Sequence, residues 1–232
     1  VALQAKKHGI PIVGICAKEN SKLATVADVM LEIPWAFDES VCQTRTVTNL
    51  YTVHLMILGI LAKDDDLLKE IKVAIDRGEN YIEQSMALLQ EVSTTNFERA
   101  IVLADSELEG IASEGALAFK EISLVAGDYY HVLDVRHGPM VLINDQTLVI
   151  MVCSPTDVQY QMQLVADLRK KGAHVLTLTS RNADYGADWN VRLPNYQNFA
   201  VLGIPFIFVP QWIALNKALQ KGINPDIPDG LD

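Results

Sequence analysis

The 232-residue sequence is short of several things, and each shortage closes off a class of protein. Cysteine is scarce: Cys16, Cys42 and Cys153 stand far apart with no C-x-x-C pair. That spacing excludes a disulfide framework and any cysteine-based zinc site, and it suits a reducing cytoplasm. Positive charge is short too, since 19 Lys and Arg face 29 Asp and Glu and leave a net charge of −10. Such a balance argues against nucleic acid or an anionic membrane as partner. A small anionic substrate stays open, because backbone N–H groups and hydroxyls hold phosphate without help from net charge. The longest apolar run, Ala200 to Leu215, is too short for a bilayer and is interrupted by Pro205 and Pro210. No leader pattern opens the chain, and it begins without Met, so it reads as a piece of something longer. Missing motifs narrow the chemistry further. No G-x-G-x-x-G follows a strand, and there is no Walker loop, H-E-x-x-H or nucleophile elbow, so dinucleotide, ATP and zinc-protease chemistry drop out.

What is present is half apolar and 21% charged, enough for a buried core. Leu3 to His8 reads as a helix end closed by Gly9. Pro11 to Cys16 is a continuous apolar run, the pattern of a strand covered on both faces. A short helix over Lys22–Val26 and a strand over Val29–Ile33 follow. Thr44 to Ala62 reads as a core helix, and Asp64 to Val92 as helix with a break near Gly78. Beyond it, strands are expected at 100–104, 130–134, 147–153, 174–179 and 191–193. Helices are expected at 108–124, 157–171 and, interrupted by prolines, 199–221. Strands alternating with helices of this length make an α/β protein with doubly wound parallel sheets. Two units are expected, the first cut short at its N-terminus: residues 1–63, a helical connector over 64–96, and a second unit over 97–232.

Three windows carry chemistry. In Glu114-Gly115-Ala116-Leu117-Ala118-Phe119-Lys120-Glu121-Ile122-Ser123 the two glutamates fall about 20° apart on one helix face, with a rise of about 10 Å between them. Leu117, Ala118 and Ile122 flank Glu121, and a carboxylate shielded in this way has a raised pKa and suits proton shuttling beside a carbonyl. The same spacing also fits two glutamates solvated on an outer face. In Arg136-His137-Gly138-Pro139 the histidine projects from a turn; it is either a proton donor or a structural residue. In Glu39–Thr48, hydroxyls, an amide and free N–H groups gather at a helix start. They form either a cradle for phosphate or sugar hydroxyls, or a plain cap on Ser40 or Thr44. His8, His54 and His174 read as structural.

In this order the windows resemble the SIS (sugar isomerase) family, and in particular the isomerase half of glucosamine-6-phosphate synthase and the stand-alone phosphosugar isomerases, deaminases and deglycases. E-G-A-L-A-F-K-E-I-S at Glu114–Ser123 and R-H-G-P-M-V-L-I at Arg136–Ile143 carry the resemblance most strongly. Gly9–Ile33 is similar to the end of a first SIS domain and Val41–Leu50 to its substrate-side helix start. The resemblance implies three-layer, flavodoxin-like units and a sugar 6-phosphate as the small-molecule ligand. It makes Glu121 the base that moves a proton between C1 and C2, and Glu114 a carboxylate that holds conformation. It makes His137 the ring-opening residue, reaching across a homodimer interface. Val41, Gln43 and Thr44 then contact the sugar. No cofactor or metal is implied, and a cytoplasmic enzyme is expected.

Departures accompany the match. Ala118 replaces a lysine, Gln43 replaces a serine, and the loop is one residue shorter after Glu39. The family's S-x-S-G-x-T phosphate loop would fall before Val1, and no glutaminase domain is visible. The segment Asp226–Asp232 ends before the position of the carbonyl-capturing lysine. Isomerase, deaminase, deglycase and aminotransferase all share the proton-transfer core. A non-catalytic sugar-phosphate sensor is the alternative from another class, and a scaffold with a vestigial site is a third.

Overall fold

The computed structural model describes residues 1–227 and Gly230; Pro228, Asp229, Leu231 and Asp232, within the segment read for the missing lysine, lie outside the described residues. Helix α1 (Ala2–Lys7) ends at His8, and Gly9 follows with φ +68°, the left-handed conformation that leaves a helix without steric cost. Strands β1 (Val13–Cys16) and β2 (Val29–Glu32) pair in parallel, Val13 opposite Val29 and Cys16 opposite Glu32. Between them, Lys22–Val26 forms turns, not the expected helix. Helix α2 (Arg45–Ala62) packs on this small sheet through Leu50 and Val53, which meet Ala17, Ile33 and Ala36. Helices α3 (Asp65–Asp76) and α4 (Gly78–Ser93) divide at Arg77, one residue before the glycine that marks the break.

The remaining strands form one five-stranded sheet: β3 (Arg99–Leu103), β4 (Ala126–Tyr130), β5 (Thr147–Val152), β6 (His174–Thr179) and β7 (Trp189–Arg192). The order is β4-β3-β5-β6-β7 and every pairing is parallel. Helices α5 (Glu109–Ser123), α6 (Val158–Lys170), α7 (Gly203–Phe206) and α8 (Phe208–Gln220) complete the fold.

Alternation along the strands sorts the core onto two faces, as a period of two requires. Ala100, Val102, Leu148, Ile150, Leu176 and Leu178 meet α4, α5 and α8. Ile101, Leu103, Val149, Met151 and Val175 meet α6 through Leu164, Val165 and Leu168. Helices on both faces of a parallel sheet make the expected α/β architecture with three layers.

Two further local expectations change. The strand expected at 130–134 lies at Ala126–Tyr130 instead, and His131 to Arg136 turn away from the sheet. The displaced strand holds Gly127 and Asp128, residues poor in strand propensity that hid it. Gly127 is there because α5 crosses it closely: an added Cβ would stand 2.1 Å from the Ala116 carbonyl oxygen. The C-terminal helical stretch Phe199–Gln220 runs 22 residues with a mean hydropathy of 1.7, long and apolar enough to cross a membrane, against the expectation from its apolar run. Of its most apolar window 67% is buried inside the protein, which explains the composition as that of a core helix.

Candidate active site

The loop from β2 to α2 is organised by one carboxylate. Asp38 accepts the N–H groups of Thr44 at 2.9 Å and Thr46 at 2.8 Å, and its own N–H donates to the Thr46 hydroxyl at 3.2 Å. Thr46 in turn donates to the Ala36 carbonyl at 2.6 Å. Neither Ser40 nor Thr44 caps α2 through its side chain. The donors at the start of α2 that read as a phosphate cradle are therefore partly filled by Asp38. A phosphate seated there would meet an anion already in place. Arg45 partly balances that charge, its Nε 3.5 Å from Asp38.

Ser40 and Val41 tie the loop to the end of the chain, the Ser40 hydroxyl and the Val41 N–H both donating to the Asp226 carbonyl. Around this tie lies a cavity of about 900 Å³, its wall including Ser40, Cys42, Thr44, Ile122, Trp212 and Asp226. Of the three predicted sugar contacts, Thr44 lines the cavity, while Val41 and Gln43 are exposed on the flanking loop and do not line it.

Helix α5 reaches this cavity through Ile122. Glu121, beside it, is partly buried and is not itself a lining residue. Glu114, also partly buried, lines a separate cavity of about 350 Å³ with Lys120 and Asp128. Burial pushes the Cys42 thiol above its usual range, and the charges of Glu121 and then Asp226 push it further. The loop, α5 and the closing segment thus converge on the cavity wall. The raised carboxyl pKa on this helix belongs to Glu114, driven first by burial and then by the neighbouring charge of Glu121. Ala118, where the family has a lysine, is 6% exposed inside the main core.

His137 is elsewhere. It is exposed in the turn between two short helical turns, Asp134–Arg136 and Pro139–Leu142, and is not among the residues that line the 900 Å³ cavity. Gly138, at φ +126°, makes that turn possible. An ion pair from Arg136 to Asp167 at 2.6 Å anchors it, and exposed Val141 and Leu142 flank it.

Sequence reasoning passed over several residues. Asp38 was invisible because the N–H groups that donate to it lie six and eight residues ahead, outside the usual cap spacing. His131 stands at the carboxyl end of β4, its Nδ1 3.3 Å from Asp105 and its Nε2 3.7 Å from Glu109. Only the β3–β4 pairing brings Asp105 and His131 together. Gln211 and Trp212 supply side-chain N–H groups without partners near the cavity, and their helical spacing announces nothing but core.

Comparison with known proteins agrees with the motif reading. Residues 95–192 match the family model for the SIS domain. The probable glutamine–fructose-6-phosphate aminotransferase [isomerizing] of Acanthamoeba polyphaga mimivirus is 26% identical over 245 residues, covering 97% of this chain and 39% of that protein. The Escherichia coli K12 glutamine–fructose-6-phosphate aminotransferase is 26% identical over 233 residues, covering 94% of this chain and 38% of its own length. The chain therefore spans well under half of these relatives. Among solved structures, glucosamine-6-phosphate deaminase from Thermotoga maritima superposes with a TM-score of 0.84 at 24% identity, over 98% of this chain and 67% of that one. Tagatose-6-phosphate ketose/aldose isomerase from Escherichia coli gives 0.81 at 22% identity, over 97% and 65%. At these identities the structural likeness shows a shared fold. The resemblance to the SIS family holds in both sequence and fold.

Proposed function

We propose that this chain, with its SIS domain over residues 95–192, processes a hexose or amino-sugar 6-phosphate by aldose–ketose isomerisation coupled to amination, deamination or deglycation. One observation carries the reading: Glu121 on α5 adjoins Ile122, which lines the 900 Å³ cavity together with Cys42 and Thr44, and its charge acts on the Cys42 thiol. In that position Glu121 is the base. It removes the proton from C2 or C1 of the open-chain sugar, an enediol or enolamine forms, and the carboxylic acid returns the proton to the adjacent carbon. Glu114, two turns away on the same helix face, keeps the arrangement. Thr44 contacts the sugar from the cavity wall, and Val41 and Gln43 reach it from the exposed loop beside the cavity.

His137 assists ring opening from a second copy of the chain. A homodimer is supported by its exposure and by the apolar Val141 and Leu142 beside it, which a partner would cover. Residues 1–63 are read as part of a first SIS-type unit, 64–96 as the connector and 97–232 as the second unit. The exposed apolar Val13, Val29 and Leu31 of the two-stranded sheet support that division, since so small a parallel sheet is normally covered on both faces. The enzyme is placed in the cytoplasm, in keeping with its three free cysteines. A non-catalytic sugar-phosphate sensor draws on one fact, that His137 is not among the residues lining the 900 Å³ cavity.

Proton exchange separates the two. With fructose 6-phosphate or glucosamine 6-phosphate in D₂O, NMR is expected to show deuterium entering C1 or C2. Glu121→Gln is expected to slow that entry about 10³-fold with binding nearly unchanged. Ligand-induced thermal stabilisation without exchange would assign the sensor role.

A further inference from the structure

A second cavity, of about 610 Å³, lies between α2, the α3–α4 junction and the α7–α8 stretch. Its body is apolar, formed by Val53, Met56, Ile75, Ile82, Ile204 and Phe208 among others. That volume is in the range that holds a small organic ligand. The walls alone would select any oily molecule of the right size. Its polar groups are more selective.

Tyr81 is 7% exposed, its ring edge-on to Phe208, and its hydroxyl has no hydrogen-bond partner. Burial drives the pKa of that hydroxyl upward; Ser85, one turn along α4, opposes the shift only in part and lies outside hydrogen-bond geometry. The Gln211 side-chain N–H group is likewise buried without a partner. Both are donors that lack an oxygen to bond. Charge adds a second, independent selection. The 20 lining residues include Arg45 and Arg77 and no acid, in a chain whose net charge is −10. Arg45 is already engaged with Asp38, whereas Arg77 is exposed and forms no ion pair among the described residues.

We infer that this cavity binds a small monocarboxylate with an aromatic or branched aliphatic body, its apolar part against α2 and α4 and its carboxylate on Arg77, with Tyr81 and Gln211 donating to its oxygens. A guanidinium matches a carboxylate through paired N–H···O bonds. A sugar phosphate is the wrong occupant, because its hydroxyls would be buried against aliphatic walls. Thr44, Arg45, Phe208 and Gln211 belong to the walls of both cavities, so the bound acid touches residues that also shape the larger one. Binding itself does not depend on the reaction proposed above.

The test is titration of the chain with 4-phenylbutyrate and 4-methylpentanoate, with 4-phenylbutanol as the uncharged control, followed by methyl NMR. Saturable shifts are expected at the methyls of Met56, Ile75, Ile82 and Ile204, with 4-phenylbutyrate binding about tenfold more tightly than the alcohol. Arg77→Gln, at an exposed helix junction, is expected to erase that margin, and Tyr81→Phe to weaken the acid severalfold. Added salt narrows the margin because the charge pair is exposed at the mouth. Equal binding of acid and alcohol would overturn the inference. So would shifts mapping outside these methyls, an unchanged margin in Arg77→Gln, or no saturation by about 10 mM of either acid.

Discussion

Glu114 is half-withdrawn from water beside a second carboxylate, and its raised pKa has a consequence for stability. A carboxyl group with a higher pKa in the fold than in the unfolded chain binds its proton more tightly when folded. The stability it lends is fully present below the ordinary glutamate value of 4.5 and is lost as pH rises through the raised value. Glu114→Gln is therefore expected to unfold at higher temperature or urea than wild type near pH 7, with the advantage fading toward about pH 4. Equal stability across that range would show that Glu114 carries no such strain. Only part of this was legible from residues. The helical spacing of Glu114 and Glu121 set them on one face, and their environment was open between solvent and shelter. Burial depends on what packs over α5, and no local pattern encodes it.

At the scale of elements, α5 is held by contacts its own residues only hint at. Gly115 lets Pro210 of α8 come close, an added Cβ standing 2.8 Å from the proline Cγ, and Gly127 lets β4 pass under the Ala116 carbonyl. The first conflict is with a ring carbon and the second with backbone, which cannot swing aside. Gly127→Ala is thus expected to destabilise the protein by about 3 kcal/mol or more, at the upper end of overpacking, measured by urea denaturation. A loss below about 1 kcal/mol would mean that β4 shifts freely relative to α5. In the sequence Gly127 counted against a strand, and the strand was placed four residues late for that reason. The helices, whose apolar period is long and repeated, were legible to within a residue or two at most ends. The cap of α2 was not, since Asp38 reaches it across a loop.

For the whole molecule, the proposed pairing of chains makes a quantitative demand. If Glu121 of one copy works with His137 of the other, inactive Glu121→Gln and His137→Ala proteins should restore activity when mixed and reassembled. Half the dimers are then mixed, each with one intact site, so about a quarter of wild-type sites return. Activity no greater than the sum of the two variants alone would place both residues in one chain's site. Neither the motif nor a single chain reveals such an arrangement. His137 was singled out by its turn chemistry, and only the tertiary structure sets it apart from the cavity that Cys42 lines and Glu121 acts upon.

By itself the sequence determined the α/β class, the order of helices and strands, and the two motifs whose resemblance to the SIS family the comparisons bear out. Those features rest on local periodicity and on residue types at short fixed spacings, which the chain carries wherever it folds. The expected burial of the first two strands on both faces is not met, since Val13, Val29 and Leu31 are exposed. Tertiary structure decided the rest. It filled the start of α2 with Asp38, drew Cys42, Glu121 and Asp226 together, and buried the position of the lost lysine at Ala118. It also left a second, acid-free cavity beside the first. Each of these is a contact between segments distant in sequence, fixed by which faces the parallel sheet and its helices bury against one another.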